Sequence, residues 1–302
     1  DQAFFCNSGA EANEAAIKLA RKYSRETFGP ERYRIITAAE SFHGRTMATV
    51  SATGQEKVQR FFDPLLHGFS HVPFNDLGAL TAAISPETCA IMLEPIQGEG
   101  GINVPSLEYM RGVRQLCDEH KLLLIFDEVQ TGLGRTGKLF AHEHFGVTPD
   151  IMTLAKALAG GAPIGTMLAR AEVAAAFTPG THGSTFGGNP LMTAAALAAV
   201  RTLLEEGLLD QAMSRGAYLT MKLNQLKARY PFVLEVRGIG LMIGMGLSIP
   251  GGEIVKTGHE RGVLLNCTHD TVLRFVPPLT VSEAQIDEMI GILGGIFADI
   301  QR

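Results

Sequence analysis

Residues 89–128 read CAIMLEPIQGEGGINVPSLEYMRGVRQLCDEHKLLLIFDE and decide the fold class. Two apolar runs, residues 89–94 and 122–127, are typical of buried strands. Between them, residues 107–120 place apolar side chains at helical spacing. A strand, a helix and a second strand in this order predict a parallel strand pair with a crossover helix, the repeating unit of α/β proteins.

Similar patterns continue on both sides of this stretch. We expect strands at residues 4–6, 34–37, 150–154 and 166–169, and helices at residues 10–23 and 190–206. After residue 207 the pattern changes to a long helix to residue 230, short strands at 232–236, 241–247, 263–265 and 272–275, and a helix over 282–300 with Ser282 as its N-cap. The sequence therefore predicts a large α/β domain over 1–207, with a mostly parallel sheet, and a smaller α+β domain over 208–302.

Composition and charge exclude several classes of protein. The 302 residues are 46% hydrophobic and 19% charged, which is typical of a globular chain of about two domains. The net charge is -5 and no basic stripe is present, so we predict neither a nucleic-acid partner nor a membrane partner. Four cysteines without a C-x-x-C pair indicate a reducing cytoplasm. The first residue lies inside a predicted strand, so we expect further residues upstream.

A glycine-rich segment offers one rival function. Gly132 to Gly137 match the G-x-G-x-x-G pattern of dinucleotide-binding proteins and come close to a P-loop. However, residues 138–146 do not predict the helix that such a site needs, and Leu139 stands where a P-loop has Ser or Thr. A surface loop is the simpler interpretation, and a nucleotide-binding protein remains the alternative from a different class.

Three other positions carry candidate chemistry. Residues 7–13 place small side chains at the start of a helix, where backbone amides can hold a phosphate. Asp127 and Glu128 end an apolar strand, and Lys156 follows another in an apolar setting that favours a neutral, nucleophilic amine. Each has an ordinary alternative, namely an N-cap, a helix-capping acid and a surface lysine. The histidines form no metal-binding pattern, so we predict no metal.

Several motifs together resemble those of the class III aminotransferases, which belong to the fold type I enzymes that use pyridoxal 5'-phosphate. The resemblance spans nearly the whole chain. Its motifs are FCNSGAEANE at residues 5–14, SFHGRT at 41–46, EPIQGEGG at 94–101, DEVQ at 127–130, a lysine 29 positions after Asp127, and HGSTFGGNP at 182–190. The resemblance implies a homodimer with shared active sites.

The resemblance also implies how the cofactor is held. Lys156 would bind it covalently and move protons, and Asp127 would pair with the ring nitrogen. Val129 and Phe42 would cover the two ring faces, and Gln130 would bind the ring oxygen. The remaining cofactor contacts implied are Ser8, Gly9, Ala10 and Glu128, with Thr185 supplied by the second subunit.

For the substrates, the resemblance implies that Arg45 binds the far carboxylate, near Ser184 of the second subunit. Arg274 would bind the α-carboxylate of glutamate, and Glu94 would neutralise Arg274 when an amine-terminated chain is bound. The implied reaction transfers the terminal amine of N-acetylornithine to 2-oxoglutarate in arginine biosynthesis. Succinylornithine, succinyl-diaminopimelate, ornithine and 4-aminobutyrate are the alternative donors.

Overall fold

The computed structural model describes residues 1–301, which divide into two compact units. Unit 1 comprises residues 1–95, 105–133 and 140–202, and the described part of unit 2 comprises residues 96–104, 134–139 and 203–301. The sequence did not predict the two short segments, 96–104 and 134–139, that belong to unit 2. The boundary after residue 207 stays a prediction.

Unit 1 is an α/β structure built on a seven-stranded sheet in the order β1-β7-β6-β5-β4-β2-β3. Strands β2 to β6 are mutually parallel, whereas β7 runs antiparallel to both β6 and β1. The prediction of a mostly parallel sheet is therefore confirmed. The strands are β1 (Gln2–Cys6), β2 (Arg34–Ala38), β3 (Phe69–Val72), β4 (Thr88–Leu93), β5 (Leu123–Asp127), β6 (Ile151–Leu154) and β7 (Gly165–Ala169).

The helices that accompany this sheet include the one predicted between β4 and β5. They are α1 (Gly9–Phe28), α2 (Met47–Ala52), α3 (Glu56–Gln59), α4 (Leu77–Ala83), α5 (Leu107–His120), α6 (Ala171–Ala174) and α7 (Pro190–Glu205), the last of which continues into unit 2. Ser106 caps α5 by accepting a hydrogen bond from the Tyr109 amide, and Lys121 ends it with a left-handed backbone. The fully buried strands β4 and β5 explain why their sequences are continuous apolar runs.

Unit 2 contains a four-stranded antiparallel sheet in the order β10-β11-β9-β8, with one apolar core shared by the sheet and its helices. Its elements are α8 (Leu208–Arg229), β8 (Val233–Ile239), β9 (Met242–Leu247), α9 (Gly252–Glu260), β10 (Asn266–Thr268), β11 (Val272–Phe275) and α10 (Glu283–Ile300). Ser282 caps α10 as predicted. The strand predicted at 263–265 is wrong, because the pairing with β11 begins at Asn266. Among residues 1–301, the helices are too short or too polar to cross a membrane.

Candidate active site

The candidate site lies at the carboxyl edge of the unit 1 sheet, where β5 and β6 end side by side. Asp127 is the last residue of β5 and pairs in register with Thr153 of β6. Lys156 follows Thr153 by three positions, just beyond the end of β6. Because neighbouring strands are about 4.8 Å apart, the acid and the amine predicted from the sequence leave the sheet at the same edge.

Asp127 is held by three hydrogen-bond donors and is only 3% exposed. Oδ1 accepts from the Val129 amide at 3.1 Å. Oδ2 accepts from Asn13 Nδ2 and from His43 Nδ1, each at 2.8 Å. The hydroxyl of Thr153 donates to Asn13 Oδ1 at 2.7 Å and so fixes the amide in turn. The carboxylate is therefore oriented by residues from four separate segments of the chain.

His43 is the ionisable partner of Asp127. Burial lowers the pKa of His43, but the hydrogen bond to Asp127 and the charges of Asp127 and Glu94 outweigh this effect, so the pKa lies above its usual value. His43 belongs to one of the motifs quoted from the sequence, but no role was predicted for it. Asn13 and Thr153 were also missed, although a buried polar residue on the alanine-rich face of α1 is a signal that it has a partner.

Lys156 begins a short 3₁₀ turn, Lys156–Ala159, with a φ of 45°. A non-glycine residue rarely adopts this left-handed conformation, and its cost of about 1–3 kcal/mol is typical of residues held for function. The side chain is exposed, although Ala155 and Leu158 beside it are buried. The prediction that apolar neighbours surround the Lys156 side chain is therefore wrong for the single chain. Ala155 and Leu158 face the core, whereas the lysine side chain faces solvent.

The predicted phosphate turn begins α1. Ser8 caps the helix by accepting a hydrogen bond from the Glu11 amide at 3.2 Å. A side chain on Gly9 would come within 2.7 Å of Val129 Cγ1, so glycine is required there. The first amides of a helix have no intrahelical acceptor and can bind an anion. The turn at Ser8, Gly9 and Ala10 therefore packs against Val129, which lies two residues after Asp127.

Phe42 and Arg45 lie near each other in the loop before α2. The guanidinium carbon of Arg45 lies 5.5 Å from the centre of the Phe42 ring, and the Arg45 side chain is exposed. Glu94 is buried, and its Oε2 accepts a hydrogen bond from the Phe42 amide at 3.0 Å. Glu94 thus fixes the backbone of a residue that was predicted to cover the cofactor ring.

Arg274 of unit 2 has a different acidic partner from the one expected. Its Nη1 donates to Glu99 Oε1 at 2.6 Å, and its Nε donates to Asn266 Oδ1 at 3.0 Å. From the sequence, Glu94 was predicted to be the neutralising acid. The structure gives that position to Glu99, which lies five residues later in the same motif and within unit 2. The motif alone could not tell which of its two acids reaches the arginine.

Glu128 is fully engaged in a local structural role. One oxygen accepts from the Thr131 hydroxyl at 2.6 Å and the Ala141 amide at 2.9 Å. The other accepts from the amide and the Nδ1 of His142, at 2.9 and 3.0 Å. These four donors hold the Glu128 side chain in the fold, and the cofactor contact predicted for this residue stays a prediction.

Ser184 holds the loop at residues 182–190, which was predicted to contribute Ser184 and Thr185 to the active site of a second subunit. The Ser184 hydroxyl accepts from Asn7 Nδ2 at 3.2 Å and from the Gly187 amide at 3.1 Å. Thr185 beside it is exposed. Both residues line a cavity of about 280 Å³ that also contacts Glu11 and Glu14 of α1.

The rival nucleotide site is not supported by the geometry of Gly132 to Gly137. The helical element that follows is a 3₁₀ turn of four residues, Ala141–His144, and not the helix that a phosphate-binding loop requires. Within unit 2, a side chain on Gly137 would come within 2.1 Å of Met213. These glycines therefore serve close packing and a tight turn.

The residues at the sheet edge fit a pyridoxal phosphate ring. Within residues 1–301, Gln130 Oε1 and His43 Nε2 are buried without a hydrogen-bond partner. An amide side chain such as that of Gln130 can donate to a ring oxygen in its alternative orientation. Asp127 can accept one more donor at Oδ1, and the turn at Gly9 can bind a phosphate. The Asp127 carboxylate, the Gln130 amide and the anion site at Gly9 all belong to unit 1.

The chain belongs to the class III aminotransferases, and the cofactor of this class is pyridoxal 5'-phosphate. The family model described as aminotransferase class-III matches residues 1–297. The acetylornithine aminotransferases of Methanocaldococcus jannaschii and Gloeobacter violaceus are 54% and 55% identical, over 100% and 99% of this chain and 76% and 75% of theirs. A solved ornithine aminotransferase from Toxoplasma gondii, described with partial occupancy of PLP at its active site, superimposes with a TM-score of 0.95 at 37% identity, covering 100% of this chain and 73% of that one.

Proposed function

We propose that this enzyme transfers the terminal amine of N-acetylornithine to 2-oxoglutarate, giving the semialdehyde and glutamate, in cytoplasmic arginine biosynthesis. The observation that carries the reaction type is the placement of Asp127 and Lys156 at the ends of paired strands. The donor is supported by 54% and 55% identity to two acetylornithine aminotransferases over nearly the whole of this chain. The free cysteines support a reducing compartment.

The residues of unit 1 divide the work of proton transfer. Pyridoxal phosphate supplies an aldehyde that condenses with amines and a ring that accepts electrons when the substrate C–H bond breaks. The Nζ of Lys156 would hold the cofactor and, once the incoming amine has displaced it, would be free to carry the proton between the substrate carbon and the cofactor carbon. Such positioned acid–base groups contribute about 10²- to 10⁴-fold in rate. Asp127 Oδ1, which also accepts from the Val129 amide, would accept the hydrogen bond from a protonated ring nitrogen.

Binding of the ring and the phosphate falls to the surrounding loops. The amides of Gly9 and Ala10 and the Ser8 hydroxyl hold the phosphate at the start of α1. Val129 and Phe42 would exclude water from the two ring faces, and the Phe42 backbone is fixed by Glu94. Gln130 donates to the ring oxygen.

Substrate carboxylates are recognised by two arginines. Arg45 is exposed and binds the far carboxylate of the donor, with Ser184 of the second subunit nearby. Arg274 binds the α-carboxylate of glutamate, and Glu99 neutralises Arg274 when the bound substrate ends in an amine. A movable ion pair would let Arg274 serve both kinds of substrate, because Glu99 covers a positive charge that would otherwise have no partner.

A homodimer completes the site, with Thr185 of each subunit binding the phosphate of the other. The support is an apolar surface of α7, where Leu197 and Leu204, seven positions apart and so on one face, are 52% and 53% exposed. Phe186, next to Thr185, is 71% exposed. Large exposed apolar side chains grouped in this way mark interaction surfaces. A second subunit on this surface would also cover the exposed loop at Thr185.

The identity of the amine donor is tested by measuring kcat/KM for a panel of amines with 2-oxoglutarate as the acceptor. We expect kcat/KM for N-acetylornithine to exceed that for ornithine and for 4-aminobutyrate by at least about tenfold, a difference of about 1.4 kcal/mol. Succinylornithine is measured in the same panel. Equal or higher rates with ornithine would reject the proposed donor and leave the reaction type standing.

A further inference from the structure

We propose that Asn13 and Thr153 are positioning residues that select which oxygen of Asp127 meets the cofactor's ring nitrogen. In this arrangement Thr153 orients Asn13, and Asn13 together with His43 occupies Asp127 Oδ2. Oδ1 is then the oxygen that accepts from the ring. The inference rests on the cofactor class and is independent of the identity of the amine donor.

Both polar atoms of the Asn13 side chain are hydrogen-bonded, and the residue is 1% exposed on the alanine-rich face of α1. Nδ2 donates to the His43 carbonyl and to Asp127 Oδ2, each at 2.8 Å. Both partners are acceptors, so the amide nitrogen must face them. The amide oxygen then faces the Thr153 hydroxyl, which donates to it at 2.7 Å.

The two oxygens of Asp127 are used unequally. Among the described residues, Oδ2 accepts two hydrogen bonds and Oδ1 accepts one, from the Val129 amide. A carboxylate oxygen has two lone pairs, so Oδ1 retains one for a further donor. A buried carboxylate with this capacity at the edge of the sheet suits a ring N–H, which is the donor that the cofactor presents.

The orientation of the Asn13 amide depends on the hydroxyl of Thr153. Thr153 pairs in register with Asp127, and its side chain reaches the amide that contacts Asp127. Thr153→Val keeps the side-chain shape but leaves the Asn13 oxygen buried without a donor. We expect the amide to lose its fixed position, its hydrogen bond to Asp127 Oδ2 to weaken, and the carboxylate to rotate.

The test is ¹⁵N NMR of the holoenzyme carrying pyridoxal phosphate labelled at the ring nitrogen, together with the dissociation constant of the cofactor. In Thr153→Val we expect the ¹⁵N shift to move toward that of an unprotonated ring and the dissociation constant to rise about five- to tenfold. Thr153→Ser restores the hydroxyl and should return both values to those of the parent enzyme.

Thr166→Val is the matched control, since Thr166 is a buried threonine of the adjacent strand β7 whose hydroxyl donates to the Phe4 carbonyl. This variant removes a hydroxyl from the same sheet without touching Asp127. If Thr153→Val matches Thr166→Val in both ¹⁵N shift and cofactor affinity, the proposal is overturned and the contact is structural only. Should Thr153→Val fail to fold, Thr153→Ala carries the same comparison with the same two outcomes.

Discussion

Two adjacent carboxylates at the end of β5 show how single contacts decide chemistry. Asp127 has three donors and keeps an acceptor position, whereas Glu128 has four donors that anchor a turn. Successive side chains of a strand point to opposite faces, so neighbours in sequence meet different partners. Asp127 is therefore available to a ligand and Glu128 is committed to the fold.

The partner of Arg274 gives a prediction at the same scale. Glu99→Gln removes the negative charge beside an arginine that is 11% exposed. We expect kcat/KM for N-acetylornithine to fall about tenfold and that for glutamate to be retained, because only the amine-terminated donor needs the arginine covered. Steady-state rates with both substrates measure the change.

Glu94→Gln is the matched control for this prediction, because the side-chain amide oxygen that it introduces would still accept from the Phe42 backbone amide. The ratio of the two substrates should stay at its original value in this variant. If Glu94→Gln shifts the ratio and Glu99→Gln does not, the assignment made from the sequence is correct after all.

Residues that act through long-range contacts were the ones that the sequence could not reveal. Asp127 ends one apolar strand and Lys156 follows another, so the local sequence marks both residues directly. Asn13 contacts Asp127 across 114 positions and Thr153 across 140 positions. A polar residue on the alanine-rich face of α1 indicates that a partner exists, but no local pattern identifies that partner, because the contacts form only once α1 has packed on the sheet.

At the scale of elements, local patterns predicted the buried elements well and the edges poorly. Strands β4 and β5 and helix α5 were evident, since continuous burial requires continuous apolar sequence. The half-exposed strand β3 and the helix α9 were missed. The strand expected at 263–265 was misplaced because β10 has only three residues and depends on its pairing with β11.

Helix α7 carries the prediction at this scale. Leu197→Glu places a charge on its exposed apolar face, and burying an unpaired charge in an interface is costly. We expect the variant to become monomeric and its cofactor affinity to fall about tenfold or more, because Thr185 of the second subunit is lost. Sedimentation velocity and cofactor titration measure the two effects.

Met221→Glu provides the control, because Met221 is an exposed apolar residue of α8, outside the proposed interface. That variant should sediment like the parent protein. A dimer that survives Leu197→Glu, or one that Met221→Glu disrupts equally, would place the interface elsewhere.

At the scale of the molecule, the alternation of strands and helices was sufficient to predict a large α/β domain and a smaller α+β domain. The two short segments that join unit 2 were not predictable. Arg237 donates to the carbonyls of Gly101 and Ile102, and Arg135 donates to the carbonyls of Leu241 and Pro277. Backbone carbonyls carry no sequence signal, so these attachments emerge only from the folded chain.

The most direct test of the account is to find which residue binds the cofactor. The holoenzyme is treated with borohydride, which makes the link between a lysine and the cofactor permanent, and its peptides are analysed by mass spectrometry. We predict that the cofactor mass is found on Lys156 and that Lys156→Ala incorporates none. Cofactor found on a different lysine, or unchanged incorporation in Lys156→Ala, would contradict the assignment of the site to the ends of β5 and β6.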